Sequence, residues 1–456
     1  MKECEIPRFM ISAPKSGSGK TTIVCGLLKA LINRGLKVAA FKSGPDYIDP
    51  MFHSSVIGAK SRNLDIFMLG EDTARFLAAK NSLGADLAIF EGAMGFYDGC
   101  GKTEEASAYH LARVCDVPVI LVLDGKGAAL SIAAMIKGFK DFRQDSHVAG
   151  AILNNMNPMS YLFYKDVIER ESGVKLLGYF PVMQNCNFES RHLGLVTAEE
   201  IGNLQQIVDR LAQQAAKSID FDALLAIAAQ ANRLRYQDFA PQFIGKTKIA
   251  IAKDKAFCFY YQDALDLIGE LGGELVPFSP LSDTSLPAGC SGLILGGGYP
   301  ELYAEQLENN ETLRHQICTL LAKGLPCFAE CGGFMYLLER YRKDDRVYNW
   351  VGAVVGETTM TKKLTRFGYV HLTAQRDNLL CAAGESINGH EFHYSDSTNN
   401  GDAFIAAKAS GKGKWECATA TKTLYAGYPH IHLWGNIDFA RRFVKACCNY
   451  AADNGK

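Results

Sequence analysis

The sequence predicts two α/β domains in tandem, each built on a parallel β-sheet with helices on both faces. Three observations carry this reading. Short, nearly continuous apolar runs alternate with helical stretches over residues 8–195 and again from 248 to about 330, and strands buried on both faces read as such runs. A glycine-rich loop, Lys15-Ser16-Gly17-Ser18-Gly19-Lys20-Thr21-Thr22, joins the first run to a helical segment. The length of 456 residues exceeds what one core ordinarily organises, so two or three domains are expected.

The first domain is expected over 1–197. Its strands are Phe9-Met10-Ile11, Val38-Ala39-Ala40-Phe41, Leu87-Ala88-Ile89-Phe90, Val117 to Val122 and Val148 to Leu153. Residues 198–244 read as a helical closure or linker, because Ile201, Leu204, Ile207, Val208 and Leu211 recur near a 3.6-residue period. The second domain, 245–456, begins with Lys248-Ile249-Ala250-Ile251-Ala252 and continues through Glu274 to Phe278, Gly292 to Leu295 and Pro326 to Ala329. After Val351 the strands become punctuated by glycine and threonine. They end at Thr423 to Gly427, ahead of a last helix from about Ile437 to Tyr450.

Composition narrows the classes. Hydrophobic residues make up 48% and charged residues 21%, with a formal net charge of -1; this is a globular balance with no electrostatic reason to bind nucleic acid. The start Met1-Lys2-Glu3-Cys4-Glu5 carries no apolar leader, and no stretch reaches membrane-spanning length, so a cytoplasmic protein with no membrane partner is expected. The 14 cysteines lack a paired spacing for zinc, Cys327 and Cys331 having no matching second pair.

The loop from Lys15 to Thr22 has the chemistry of a phosphate cradle. Gly17 and Gly19 let the backbone wrap an anion, Lys15 and Lys20 add positive charge, and Thr21 offers a hydroxyl to Mg²⁺. It departs from the common G-x-x-x-x-G-K-[ST] pattern in having Pro14 where glycine would stand. Asp46 and Asp49 follow the second strand and Glu91 follows the third, where carboxylates face the ligand crevice of a parallel sheet and can hold Mg²⁺ on ATP. Asp98, Asp124 and Asn154 also follow strands. A carboxylate acceptor would need no base, since it is already anionic. Its approach to a γ-phosphate would need Lys15, Lys20, Lys42 and Mg²⁺ to offset repulsion.

In the second domain, Cys331 sits between an apolar strand and Gly332-Gly333, a setting for a nucleophile on a tight strand-to-helix turn. Gly296-Gly297-Gly298 follows another strand, and its N–H groups with that of Gly332 can face an oxyanion. His430 and His432 are two apart after a late strand. In a strand both would share a face, so either could reach Cys331.

These segments resemble the cobyrinic acid a,c-diamide synthase family. The likeness also rests on Lys42-Ser43-Gly44-Pro45-Asp46-Tyr47-Ile48-Asp49-Pro50, Glu91 to Gly99, Arg191-His192-Leu193-Gly194-Leu195, Leu295 to Glu301, and Gly389-His390-Glu391-Phe392-His393-Tyr394-Ser395. It implies two three-layer α/β domains, the first P-loop NTPase-like and resembling dethiobiotin synthetase, the second class I glutamine amidotransferase-like. By resemblance, Thr21, Asp46 and Glu91 are magnesium-site residues, Tyr47, Asp49 and Asp98 approach the acceptor carboxylate, and Cys331 is the glutaminase nucleophile. Class I enzymes carry His-x-Glu as base and orienting acid. Here the run is His430-Ile431-His432, which favours His430, keeps His432 as a rival, and leaves no acidic orienter.

The implied activity is ATP- and glutamine-dependent amidation of the a and c acetates of cobyrinate through acyl phosphates, with Mg²⁺. A homodimer would be unsurprising, since symmetric dimers are the commonest soluble assembly. Nickel-sirohydrochlorin and hydrogenobyrinate are alternative macrocycles. A P-loop ATPase with a degenerate binding domain is the alternative from another class. The Gly389 to Ser395 run reads either as a hydrogen-bonded loop shaping the second domain or as a substrate or interdomain contact. Arg191 and His192 could pair with a macrocycle carboxylate or form a structural ion pair.

Overall fold

The computed structural model describes residues 1–184, 186, 198–411 and 413–454. It divides into two compact units, Met1–Phe239 and Ala240–Lys456.

Seven parallel strands form the sheet of the first unit: β1 Arg8–Ser12, β2 Val38–Ser43, β3 Lys60–Leu64, β4 Leu87–Glu91, β5 Val119–Asp124, β6 Val148–Asn154 and β7 Lys175–Tyr179. Their spatial order is β3-β2-β4-β1-β5-β6-β7. β1 is central and wholly buried, and connections leave it toward both sides, which opens a crevice at the carboxyl ends of the strands. The five inner strands are the apolar runs read from the sequence. The edge strands β3 and β7 carry Lys60, Arg62 and Lys175, and their exposed positions dilute the apolar signal.

Two helices frame the phosphate loop. α1, Lys20–Asn33, starts within it, so that Lys20, Thr21 and Thr22 form its first turn. α2, Ile48–Phe52, follows β2 and passes into a single π turn, His53–Ile57, that turns His53 into the interior. The long helix α3, Ala198–Ser218, packs on α1, and Val208, Leu211, Ala212 and Ala215 join the core formed by Phe9, Ile11, Val24, Leu27 and Ile120. A short strand at Lys2–Cys4 pairs antiparallel with Leu234–Tyr236.

The second unit holds a six-stranded sheet of β8 Thr247–Ala252, β9 Gly273–Phe278, β10 Leu293–Leu295, β11 Cys327–Glu330, β12 Thr419–Ala420 and β13 Leu424–Gly427, in the order β9-β8-β10-β11-β13-β12. All neighbours are parallel except the final pair. A short helix, α4 Gly332–Leu337, follows β11, and α5, Ile437–Asn454, packs its apolar stripe on this unit. The chain after Val351 adds antiparallel strands. Arg366–Ala374 pairs with both Ser386–His393 and Phe404–Lys408.

The Gly389 to Ser395 run is therefore not a loop. Its first five residues continue a strand whose Ile387, Gly389, Glu391 and His393 are buried at every second position, the period a one-sided strand requires. Among the described residues, no helix is long and apolar enough to cross a membrane.

Candidate active sites

The first site lies at the carboxyl ends of β1, β2 and β4, around a cavity of ≈ 980 Å³. Gly17 and Gly19 adopt left-handed backbone conformations, φ +77° and +90°. Gly19 has a second constraint: a Cβ there would stand 2.1 Å from Asn154 Nδ2, which donates to Ser18 O at 3.0 Å. The loop is thus held against the end of β6 by an amide that only glycine leaves room for.

Charge is concentrated beneath the loop. Lys20 Nζ donates to Lys15 O at 3.2 Å and to Met94 O at 2.6 Å. Burial, helped by nearby Lys42, lowers its pKa to about 8. Thr21 Oγ1 donates to Glu91 Oε1 at 2.8 Å, and Lys42 Nζ meets the same oxygen at 2.8 Å. Lys42 also pairs with Asp49 and lies 4.0 Å from Asp46 Oδ2. Burial disfavours the Lys42 charge, but Glu91, Asp49 and Asp46 overcome it and hold its pKa above the ordinary lysine value.

The carboxylates divide in response. Asp49 is opposed by burial yet held low by Lys42 and His53, whereas Glu91 is pushed up by burial. Burial and neighbouring Asp49 push Asp46 up to about 6. Asp46 Oδ1 accepts from the N–H groups of Ile48 and Asp49, at 2.8 and 3.2 Å, which fixes the turn into α2. His53 Nε2 lies 3.6 Å from Glu91 Oε2, and burial lowers its pKa to about 4, so the ring is neutral.

Gly17, Gly19, Lys20, Thr21, Thr22, Lys42, Asp46 and Asp49 all line the cavity. Lys15 contributes its carbonyl while its residue is exposed. Tyr47 lies between lining residues Asp46 and Ile48. Asp98 is exposed, accepts from Gly95 N at 3.1 Å and is felt electrostatically by Lys20. Glu91 stands behind the wall, 1% exposed. Asn155, Met94 and His53 were not read as site residues from the sequence. Their link to it is a neighbouring strand end or a π turn, which no local pattern announces. Arg191, His192 and the rest of their segment lie outside the described residues.

The second site is centred on Cys331. This residue bridges β11 and α4 with φ 48° and ψ -107°, a conformation rare for a side chain with a Cβ and worth about 1–3 kcal/mol of strain. Hydrogen bonds hold it there: Cys331 N donates to Gly427 O at 2.8 Å, and Met335 N donates to Cys331 O at 2.9 Å. His430 hydrogen-bonds Cys331. Burial alone would lower its basicity, but Cys331 and Glu330 push its pKa up to about 10.

Glycines close around this pair. A Cβ on Gly297 would stand 2.6 Å from His430 Cε1, and one on Gly332 would meet Pro300 Cδ at 2.9 Å and Gly298 N at 3.2 Å. Both positions therefore need glycine for close approach. Gly297–Gly298 is held by antiparallel pairing with Phe257–Phe259.

Two expectations are corrected. His430 and His432 do not share a strand face, because the strand ends at Ile431 and His432 caps a 3₁₀ turn, its Nδ1 accepting from Trp434 N at 3.3 Å. Its ring stacks on Tyr261, 4.9 Å between centroids, and burial lowers its pKa to about 3. Nor is His430 without a carboxylate. Glu330 Oε2 lies 3.8 Å from its Nδ1, supplied by the strand before the nucleophile instead of by the run after the histidine.

A phosphate loop with buried lysines and a strained thiol paired with histidine define a two-domain ATP-binding, glutamine-dependent amidating ligase. Comparison with known proteins agrees. Residues 9–194 match the CobQ/CobB/MinD/ParA nucleotide binding domain, and residues 248–437 match the CobB/CobQ-like glutamine amidotransferase domain. The chain is 39% identical over 446 residues to the cobyrinate a,c-diamide synthase of Caldanaerobacter subterraneus subsp. tengcongensis, covering 97% of this chain and 98% of that one. The enzymes of that name from Clostridium acetobutylicum and Thermoplasma volcanium are each 39% identical, covering 96% and 98% of this chain and 99% and 98% of theirs. The chain belongs to the cobyrinate a,c-diamide synthase family.

Proposed function

We propose that this enzyme amidates the a and c acetate carboxylates of cobyrinate, using ATP and glutamine and forming cobyrinate a,c-diamide, glutamate, ADP and phosphate. The observation that carries the reading is the presence in one chain of Cys331 hydrogen-bonded to His430 and of a phosphate loop backed by Lys20 and Lys42. A thiolate that releases ammonia and a site that activates a carboxylate are the two halves of one amidation.

In the ATP site, an acceptor carboxylate oxygen attacks the γ-phosphorus, the bond to ADP breaks, and an acyl phosphate forms. Lys20 and Lys42 offset the charge of two approaching anions, and backbone N–H groups of the loop from Lys15 to Thr22 receive phosphate oxygens. Asp49 holds Lys42 in place. Tyr47 and Asp98 serve acceptor binding. Ammonia then attacks the carbonyl carbon, phosphate leaves, and the amide remains after proton loss.

Thr21, Asp46 and Glu91 are all hard oxygen donors, and Glu91 Oε2 is buried without a hydrogen-bond donor among the described residues, so the set fits Mg²⁺. Mg²⁺ held there with ATP would neutralise phosphate charge.

In the second site, the Cys331 thiolate attacks the glutamine amide carbon. N–H groups of Gly297, Gly298 and Gly332 receive the oxyanion in this reading, and His430 gives its proton to the departing ammonia. Water then hydrolyses the thioester to glutamate, with His430 as base.

The test is product mass from cobyrinate, nickel-sirohydrochlorin and hydrogenobyrinate in parallel, each with Mg²⁺, ATP and either glutamine or ammonium. Two successive carboxylate-to-amide conversions on cobyrinate are expected. Preferential conversion of another macrocycle would overturn the substrate assignment, and no amidation of any would overturn the reading.

A further inference from the structure

We infer that Glu330 is the positioning carboxylate of the glutaminase, orienting His430 from the residue immediately before the nucleophile. This rests on the reading of Cys331 and His430 as the glutaminase pair. Three features of the chain support it.

The first is fixation. Glu330 is the last residue of β11, 6% exposed, and its Oε1 accepts the Ile431 N–H at 2.8 Å. One carboxylate oxygen is thereby tied to the backbone beside His430. The other, Oε2, faces His430 Nδ1 at 3.8 Å, an ion-pair distance. Nδ1 is the nitrogen an orienting acid must engage when Nε2 works on the thiol.

The second is the strand-to-turn geometry. Side chains of consecutive strand residues point to opposite faces, which would separate Glu330 from Cys331. The positive φ of Cys331 breaks that alternation. Nucleophile and carboxylate can then address the same imidazole although they are adjacent in sequence.

The third concerns the other titratable groups near the pair. Other titratable groups facing the pair are Tyr260 and Tyr425 beside Glu330, and His390, Glu391 and His393 beside His430. The tyrosines are raised by burial, His390 and His393 are lowered by burial to about 3 and 4, and burial pushes Glu391 up to about 7. Glu391 Oε1 instead receives the Trp415 indole N–H at 3.5 Å. His432, the rival imidazole, is engaged with Trp434 and Tyr261.

The consequence is that the carboxylate stabilises the imidazolium form that protonates ammonia. Glu330→Gln removes the charge but keeps an oxygen for Ile431 N–H. Its glutamine hydrolysis should fall about 10–100-fold in kcat with KM for glutamine within about twofold. The alkaline limb of its pH–rate profile, which reports loss of the imidazolium proton, should move to lower pH by about one unit or more. Glu330→Asp, which keeps the charge, should retain the limb near its parental position even where kcat drops. Ammonia-dependent amidation, which bypasses this site, should be unchanged in both.

A Glu330→Gln enzyme with parental kcat and an unmoved alkaline limb would overturn the inference, and so would equal loss of glutamine- and ammonia-dependent turnover in both variants. Cys331→Ala separates the two readings. If that variant still hydrolyses glutamine, the glutaminase assignment itself fails; if hydrolysis needs Cys331 but not the Glu330 charge, only the role of Glu330 fails.

Discussion

The two sites solve opposite problems on related scaffolds. The first surrounds a ≈ 980 Å³ cavity with distributed charge, two lysines set among carboxylates. The second keeps its reactive groups buried, with Cys331 at 9% exposure and His430 at 4%. Binding a polyanion and an anionic acceptor calls for room and for compensating charge. Activating one thiol calls for exclusion of water, a strained turn and a single ion pair whose strength rises in low dielectric. Charge is thus spread over several residues at one site and concentrated on one pair at the other, and substitutions should behave accordingly.

The largest expected effect separates the sites outright. Cys331→Ala should lower glutamine-dependent amidation by about 10³-fold or more while ammonia-dependent amidation stays within about twofold; loss of both in a folded variant would break the division. Lys20→Ala should lower ATP-dependent amidation about 10²–10³-fold with either nitrogen source. Glutamate release from glutamine in the absence of acceptor should continue in that variant, and its disappearance would show that the sites are not separable.

Gly297→Ala tests the crowding at the second site. Its Cβ would stand 2.6 Å from His430 Cε1, so displacement of the ring should lower glutamine hydrolysis about 10–100-fold with ammonia-dependent turnover preserved. Lys42→Met should be read by urea unfolding, because it leaves Glu91 and Asp49 buried without their cation. A loss of about 3–5 kcal/mol is expected, and a smaller loss would show that the carboxylates simply take up protons.

The smallest effect distinguishes the two histidines. His432→Gln should leave glutamine turnover within a few-fold of the parent, since its ring stacks on Tyr261, whereas His430→Ala should abolish it. The pH profile sharpens the same contrast. A histidine held up to about 10 is charged below that value and loses its proton as pH rises through it, so glutamine hydrolysis should persist through neutral pH and decline toward pH 10. A decline near 6.5 would mean an unperturbed imidazole.

The legible parts of the molecule were those set by neighbouring residues. The inner strands β1, β2, β4, β5 and β6 were visible because burial on both faces makes each a compact apolar run. The edge strands β3 and β7 and the short pairing of Lys2–Cys4 were not, since polar edges lack that mark. The His390 to His393 stretch misled because polar residues in a strand resemble a loop until their burial is known.

The tandem α/β architecture, the phosphate loop and the candidacy of Cys331 were readable from the chain alone, because apolar runs, glycines and a strand-to-helix turn act through the conformations of consecutive residues. Three pairings came from the folded chain: which histidine meets Cys331, that Glu330 stands beside that histidine from 100 residues away in the chain, and that Lys42 is shared among Asp46, Asp49 and Glu91. Those pairings depend on strand order and on where a strand ends, and through-space distances of a few ångströms leave no period or spacing in the sequence from which they could be read.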